Sequence, residues 1–305
     1  MIEQDEVAFI FDGLGTPSNT AVRGYLNENK VPQLFVSSGA SKFGDPRNFP
    51  WTMGWQPNYR TAASIFAKHI LATKPGAKIG LLYQNDDFGK DYLTGLKDGL
   101  GANNAGMVVK EATYEVSEPM VDSQIISLQD SGADTFVNAT SPKFAALAIR
   151  KAYDIGWKPL QYLSHVSISV ASVMKPAGLR KGVGILTASY EKEPTDPRWK
   201  DDPGMLRWFA FMKKYMPTAD ATDVYMVFGC DVAATLVQVL KQCGSDLSRQ
   251  RIMKEAANIK DFTPPTVLPG VTVNTSPDNF YPVRQMQLAR FTGETWELFG
   301  DVLTG

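Results

Sequence analysis

The stretch FIFDGLGTPSNTAV, Phe9 to Val22, decides how the rest of the chain is read. An apolar, aromatic run ends in Asp12, Gly13-Leu14-Gly15 follow, and a Thr-Pro pair opens a segment of helical character. Strand, glycine turn and helix in this order also open a dinucleotide site, but Ser18 stands where that site needs its third glycine. The next apolar run, PQLFVSSGAS, ends in serines with no acid for a ribose, and no Walker lysine follows the loop. What remains is a helix start preceded by small residues, with unpaired backbone N–H groups and the positive end of the helix dipole. Thr16 and Ser41 add hydroxyl donors. Such a site suits a carboxylate better than a bulky diphosphate, because few groups converge and no basic residue is required. The plainer reading is that Thr16 only caps its own helix and that Ser37 and Ser38 only end a strand.

Outward from this stretch, strand-like and helix-like segments alternate, which predicts α/β layers around parallel sheets. VAFIFDG, PQLFVSS, KIGLLYQ, MVVKEATYE, DTFVNAT, YLSHV and VGILTASY read as strands, and the segments between most of them as helices. SGASKFGDPRNFPWTMGWQPN reads as a loop. The closing TVLPGVTVNT and PVRQMQLARFTGETWELFGDV read as antiparallel β, with a turn at Thr292-Gly293. Several strands end in small polar residues that start the next helix: Gly15-Thr16-Pro17, Ser37-Ser38-Gly39, Asp86-Asp87-Phe88 and Thr140-Ser141-Pro142. Ligands of open α/β sheets sit outside the carboxyl ends of the strands. Two such sheets joined by irregular crossings, at Thr52 to Pro57, Ser189 to Pro194 and Asn274 to Pro282, describe a cleft protein.

The 305 residues are 44% hydrophobic with a formal net charge of -1, ordinary for a soluble chain long enough for two domains. That balance gives no footprint for nucleic acid, and no apolar run approaches the length that spans a bilayer. Cys230 and Cys243 are the two cysteines; no Cys/His spacing suggests a metal site, and Cys230, in an apolar run, reads as a buried thiol. Of the two histidines, His69 reads as a helix-surface residue, and His165, at the end of a strand, is the better ligand candidate. No nucleophile elbow is present, Asp86 and Asp87 read as a cap and a surface acid, and no cofactor motif is complete, so no enzyme template is satisfied. Acidic residues and a strand follow Met1 directly, so the chain as given shows no secretory signal.

The segments KVPQLFVSSGAS, NFPWTMGWQPNY, AKIGLLYQNDDFGKDYLTGLKDGL and GADTFVNATSPKFAALAIRKAYDIGWKP carry a resemblance across essentially the whole chain. The sequence resembles the branched-chain amino-acid (Leu/Ile/Val) type of ABC-transporter substrate-binding protein, with the type I periplasmic binding fold. The resemblance implies two Rossmann-like α/β lobes joined by three crossings, a small-molecule ligand trapped between them, a transient membrane-permease partner, a monomer, no cofactor, and a periplasmic parent protein. Its boundaries would be 1–54 for the first part of lobe 1, 55–190 for lobe 2, 191–278 for the rest of lobe 1, and 279–305 for a β segment returning to lobe 2. A sensory ligand-binding domain is the alternative use of the same fold. The family pattern opens with an export signal and a further strand–helix–strand–helix, which implies a chain truncated at its N-terminus; lobe 1 is then incomplete, and the uncovered edge of VAFIFDG favours poor folding or aggregation.

Carried over position by position, the carboxylate-gripping residues are Thr16, Gly39 and Ser41, with Leu14 and Ser38 beside them. Phe88, Tyr190 and Tyr225 supply aromatic surface, and Ser141 falls where amino-acid binders tend to have tyrosine. The two acidic positions that hold an ammonium match Gln56 and His165-Val166, and neither is acidic here. An unpaired buried ammonium is very costly. The resemblance therefore implies a hydrophobic or aromatic carboxylic acid rather than an α-amino acid, with His165, Gln56 or Ser141 bonding a distal group.

Overall fold

The computed structural model describes residues 2–304, and its strands sort into two sheets. A three-stranded parallel sheet has the order β1-β2-β3, from β1 (Ile10–Phe11), β2 (Gln33–Val36) and β3 (Thr52–Gly54). A seven-stranded sheet contains the parallel strands β4 (Ile79–Gln84), β5 (Val108–Tyr114), β6 (Thr135–Ala139), β7 (Leu160–Leu163) and β8 (Leu186–Ser189). It is completed by β9 (Gln285–Phe291), antiparallel to β8, and β10 (Trp296–Thr304), antiparallel to β9, in the order β10-β9-β8-β7-β6-β4-β5. β4 and β6 are buried at every residue, as parallel strands covered on both faces must be.

The helices start where their sequences dictate. In α1 (Thr16–Glu28) Pro17 occupies the first turn, where its missing N–H leaves no bond unmade. Asn58 caps α2 (Tyr59–Thr73), and Asp86 caps α3 (Asp87–Leu100) by accepting from the N–H groups of Phe88 and Gly89. α4 (Asp122–Asp130), α5 (Pro142–Asp154) and the single turn α6 (Lys175–Ala177) follow along the seven-stranded sheet. α7 (Pro203–Tyr215), α8 (Val224–Cys243) and α9 (Arg249–Ala256) come next, before the chain returns to β9. The largest core cluster is continuous from β2 and β3 through α2 and α3 to β4 and β8, so the two sheets share apolar packing beside the crossings.

Several expectations are corrected. VAFIFDG forms only the two half-buried residues of β1, paired to β2 on one side. The loop after Ser38 contains a strand, β3, three residues set between Trp51 and Trp55 and too short to show an alternating pattern. TVLPGVTVNT makes isolated bridges, Glu191 with Val267 and Val273 with Phe262 and Val283, rather than a strand. His69 is half-buried and its Nδ1 lies 2.6 Å from the Tyr162 hydroxyl, so it is no free surface residue. Cys230 is only partly buried, whereas Cys243 is buried; both are free thiols. α8, 20 residues with a mean hydropathy of 1.5, is long and apolar enough to cross a membrane, contrary to the expectation from the sequence. A third of it is buried in the protein, and mid-helix Asp231 is fully buried, accepting from the Thr266 N–H.

Candidate functional site

Residues at the carboxyl ends of the two sheets meet beside the start of α2. Thr16, the first residue of α1, is buried, and its hydroxyl lies 2.7 Å from that of Ser38, which follows β2. Phe35 takes a left-handed φ of 55° in the middle of β2, where the register with β3 slips, and so re-aims the strand end that carries Ser37 and Ser38. Tyr59, at the first turn of α2, closes the group: its hydroxyl lies near those of Ser38 and Thr16, and burial pushes its pKa up to about 12. Gly39 makes that approach possible. A Cβ there would stand 2.3 Å from the Pro57 carbonyl and 2.8 Å from the Tyr59 ring, and the Gly39 carbonyl accepts the Tyr59 N–H at 2.9 Å.

Aromatic rings line the other side. Phe88 lies 4.7 Å from Tyr59, centroid to centroid, and Tyr92 lies 5.6 Å from both. His165, in a short 3₁₀ turn after β7, sits 5.6 Å from Tyr59 and 5.9 Å from Tyr190. Burial lowers the His165 pKa to about 3, which keeps the imidazole neutral. Tyr190 is raised well above its ordinary range, by burial and then by Glu191, Tyr59, Asp231 and Asp12. The Tyr225 hydroxyl donates to the Val166 carbonyl at 2.9 Å, joining α8 to the turn that carries His165.

Of the residues singled out from sequence, the structure thus brings together Thr16, Ser38, Gly39, Phe88, His165 and Tyr190, with Val166 and Tyr225 at one margin. Gln56 follows Trp55 on the crossing, and its Oε1 is buried without a partner. Three others stand apart. Leu14 is 80% exposed. Ser41 has both its donors engaged, its N–H and Oγ reaching the Asp91 carboxylate at 2.6 and 2.9 Å. Ser141 is held by the Tyr114 hydroxyl, which also donates to Gln84.

Sequence reasoning missed Tyr59, Tyr92 and Asp12. Tyr92 was legible as the i+4 partner of Phe88 on one face of α3. Asp12 stood in the opening stretch; its Oδ1 is buried without a partner, and burial raises its pKa to about 6. The Ser41–Asp91 bonds link the loop after β2 to α3, and Arg60 (2.7 Å from Asp91) and the Lys42–Asp87 ion pair complete a polar latch between the two sheets' ends. No group of His, Cys, Asp and Glu among the described residues has a metal-binding arrangement.

Two strand ends that carry hydroxyls thus lie beside a cluster of aromatic rings. The sequence matches the periplasmic binding protein family over residues 1–295, and the chain belongs to that family. By that membership it is a periplasmic binding protein rather than an enzyme. Its fold is the type I fold of the branched-chain amino-acid binders. A branched-chain amino-acid ABC transporter protein from Thermus thermophilus with bound valine superposes with a TM-score of 0.87 at 15% identity, covering 100% of this chain and 80% of that one. A substrate-binding periplasmic protein from Ralstonia solanacearum gives 0.84 at 18% identity, with 100% and 82% covered. A leucine-binding protein from Thermotoga maritima gives 0.74 at 14% identity, with 99% and 81% covered. No curated protein matches the chain.

Proposed function

We propose that this receptor captures a small hydrophobic or aromatic carboxylic acid between its lobes and presents it to an ABC permease. The observation that carries the reading is the Thr16–Ser38–Tyr59 hydroxyl group set against the Phe88, Tyr92, His165 and Tyr190 rings. The Thr16 and Ser38 hydroxyls bond each other, with the Tyr59 hydroxyl close by. An entering carboxylate would take their protons, with the α1 N-terminus adding its dipole. The ring or chain of the acid would pack on the aromatic side chains, and closure about the crossings would exclude water. Leu14, Ser41 and Ser141 contribute support or the rim, and Gln56, Val166 and Tyr225 the margin.

A second reading has one observation in its favour. Asp12, with an unpartnered buried oxygen near Tyr190, is an acid in the neighbourhood of the site and could hold an ammonium. Branched-chain amino acids then become the ligands, as valine is for the Thermus thermophilus protein. Thermal-shift screening of aromatic and aliphatic acids against leucine, isoleucine and valine decides between them. Stabilisation by the acids supports the first reading; stabilisation only by the amino acids, lost in Asp12→Asn, rejects it for the second.

A further inference from the structure

We infer that His165 selects the far end of the ligand by donating a hydrogen bond, so that the captured molecule is an aromatic carboxylate with an oxygen acceptor on the ring opposite its carboxylate. The inference rests on the acid reading above and adds the chemistry of the second anchor.

The hydroxyl of Tyr92 has one proton to give. Its oxygen accepts from the Ser164 hydroxyl at 2.9 Å. Its own proton is therefore directed to the remaining neighbour, His165 Nδ1, at 3.1 Å. An imidazole that accepts at Nδ1 carries its proton on Nε2. That Nε2–H is buried and has no partner, on a side chain 4% exposed. Buried N–H groups are rarely left unpaired, so an unsatisfied one among the rings of Tyr59 and Tyr190 marks a place for an acceptor.

The placement fits the first anchor. The His165 ring lies beside Tyr59 and Tyr190, and the Tyr59 hydroxyl lies near those of Thr16 and Ser38. Two sets of donors thus stand one tyrosine apart with ring surface between them. A flat acid would engage both, with its carboxylate on the hydroxyls and an ether, carbonyl or hydroxyl oxygen at Nε2–H. An ammonium at the same point would meet a donor and be rejected, and an alkyl group would leave the N–H unpaired.

Calorimetry on the full chain at pH 7 with three acids of similar size tests this. The 4-methoxybenzoate oxygen accepts but cannot donate, 4-ethylbenzoate does neither, and 4-(aminomethyl)benzoate is cationic. The expected order is methoxy tighter than ethyl by about tenfold, the worth of one buried hydrogen bond, with no binding of the aminomethyl acid. In His165→Phe the ratio of methoxy to ethyl affinity should fall to about one, whatever the two affinities become. Equal affinities on the unaltered protein, or a preference that survives His165→Phe, would overturn the inference while leaving the acid reading standing. Binding of none of the uncharged-tail acids would overturn both. Should His165→Phe not fold, the ¹⁵N spectrum of the histidine-labelled protein decides: a protonated Nε2 is expected, and a bare Nε2 overturns the assignment.

Discussion

Glu193 offers a prediction whose size can be worked out. It lies in the segment after β8, 5% exposed, with Oε1 accepting from the Thr195 N–H and hydroxyl while Oε2 has no partner. Burial, opposed by the Thr195 bonds and reinforced by Asp223 and Asp196, raises its pKa from 4.5 to about 8. Asp231 is raised to about 7 and Glu191 well above its range, again chiefly by burial, and the neighbouring Lys192 is committed to Asp202. A carboxyl with a raised folded-state pKa holds a proton in the native state that the unfolded chain has released. Its contribution is therefore fully present below pH 4.5 and is lost as pH rises through about 8. From pH 5 to pH 8 the loss from Glu193 alone is at most about 3.5 kcal/mol, at 1.36 kcal/mol for each unit of pH over most of that interval. A cavity of about 10 Å³ beside Glu191 and Glu193 has room for about one water, which would relieve part of the burial and bring the loss nearer 2 kcal/mol. Glu193→Gln copies the protonated form without the titration. Urea unfolding at pH 5, 6.5 and 8 should show the unaltered protein losing about 2–3.5 kcal/mol more than the variant across that range, with the variant the more stable at pH 8. Parallel pH profiles, or a wild type that gains stability toward pH 8, would refute the reasoning.

Other outcomes follow from the site. Asp91→Ala removes the acceptor of two Ser41 bonds and the partner of Arg60, and should cost about 2–3 kcal/mol in chemical unfolding, as loss of hydrogen bonds to a charged group does. Gly39→Ala should weaken ligand affinity and lower the melting temperature together, because its Cβ meets the Pro57 carbonyl at 2.3 Å; an unchanged melt would contradict the packing. Cys230, whose thiol burial pushes up to about 11, should react slowly with a disulfide reagent at pH 8 despite its partial exposure, with release of the coloured thiolate as the readout.

What was legible in the sequence tracks how local each cause is. Helix starts were readable because Asn58, Asp86, Pro17 and Pro142 act on the next few residues. The long buried strands β4 and β6 were readable because a continuous apolar run has few other uses. β3 was not, since three residues between Trp51 and Trp55 take extended form only because β2 lies alongside. Thr16, Gly39, Phe88 and His165 were found from strand ends and from the family resemblance. Whether each side chain is free was not legible, because that depends on residues distant in the chain. Ser41 is occupied by Asp91, 50 positions on. His69 is bonded to Tyr162, 93 positions on. Tyr59 joins the site through a crossing that no periodicity describes.

The central claim is that Thr16 and Ser38 hold a carboxylate. Calorimetric titration of an aromatic acid into the unaltered protein and into the Thr16→Val, Ser38→Ala double variant tests it most directly. The account predicts an affinity lower by about 30-fold or more in the variant, the loss of two charge-assisted hydrogen bonds, with folding intact. An unchanged affinity would contradict it.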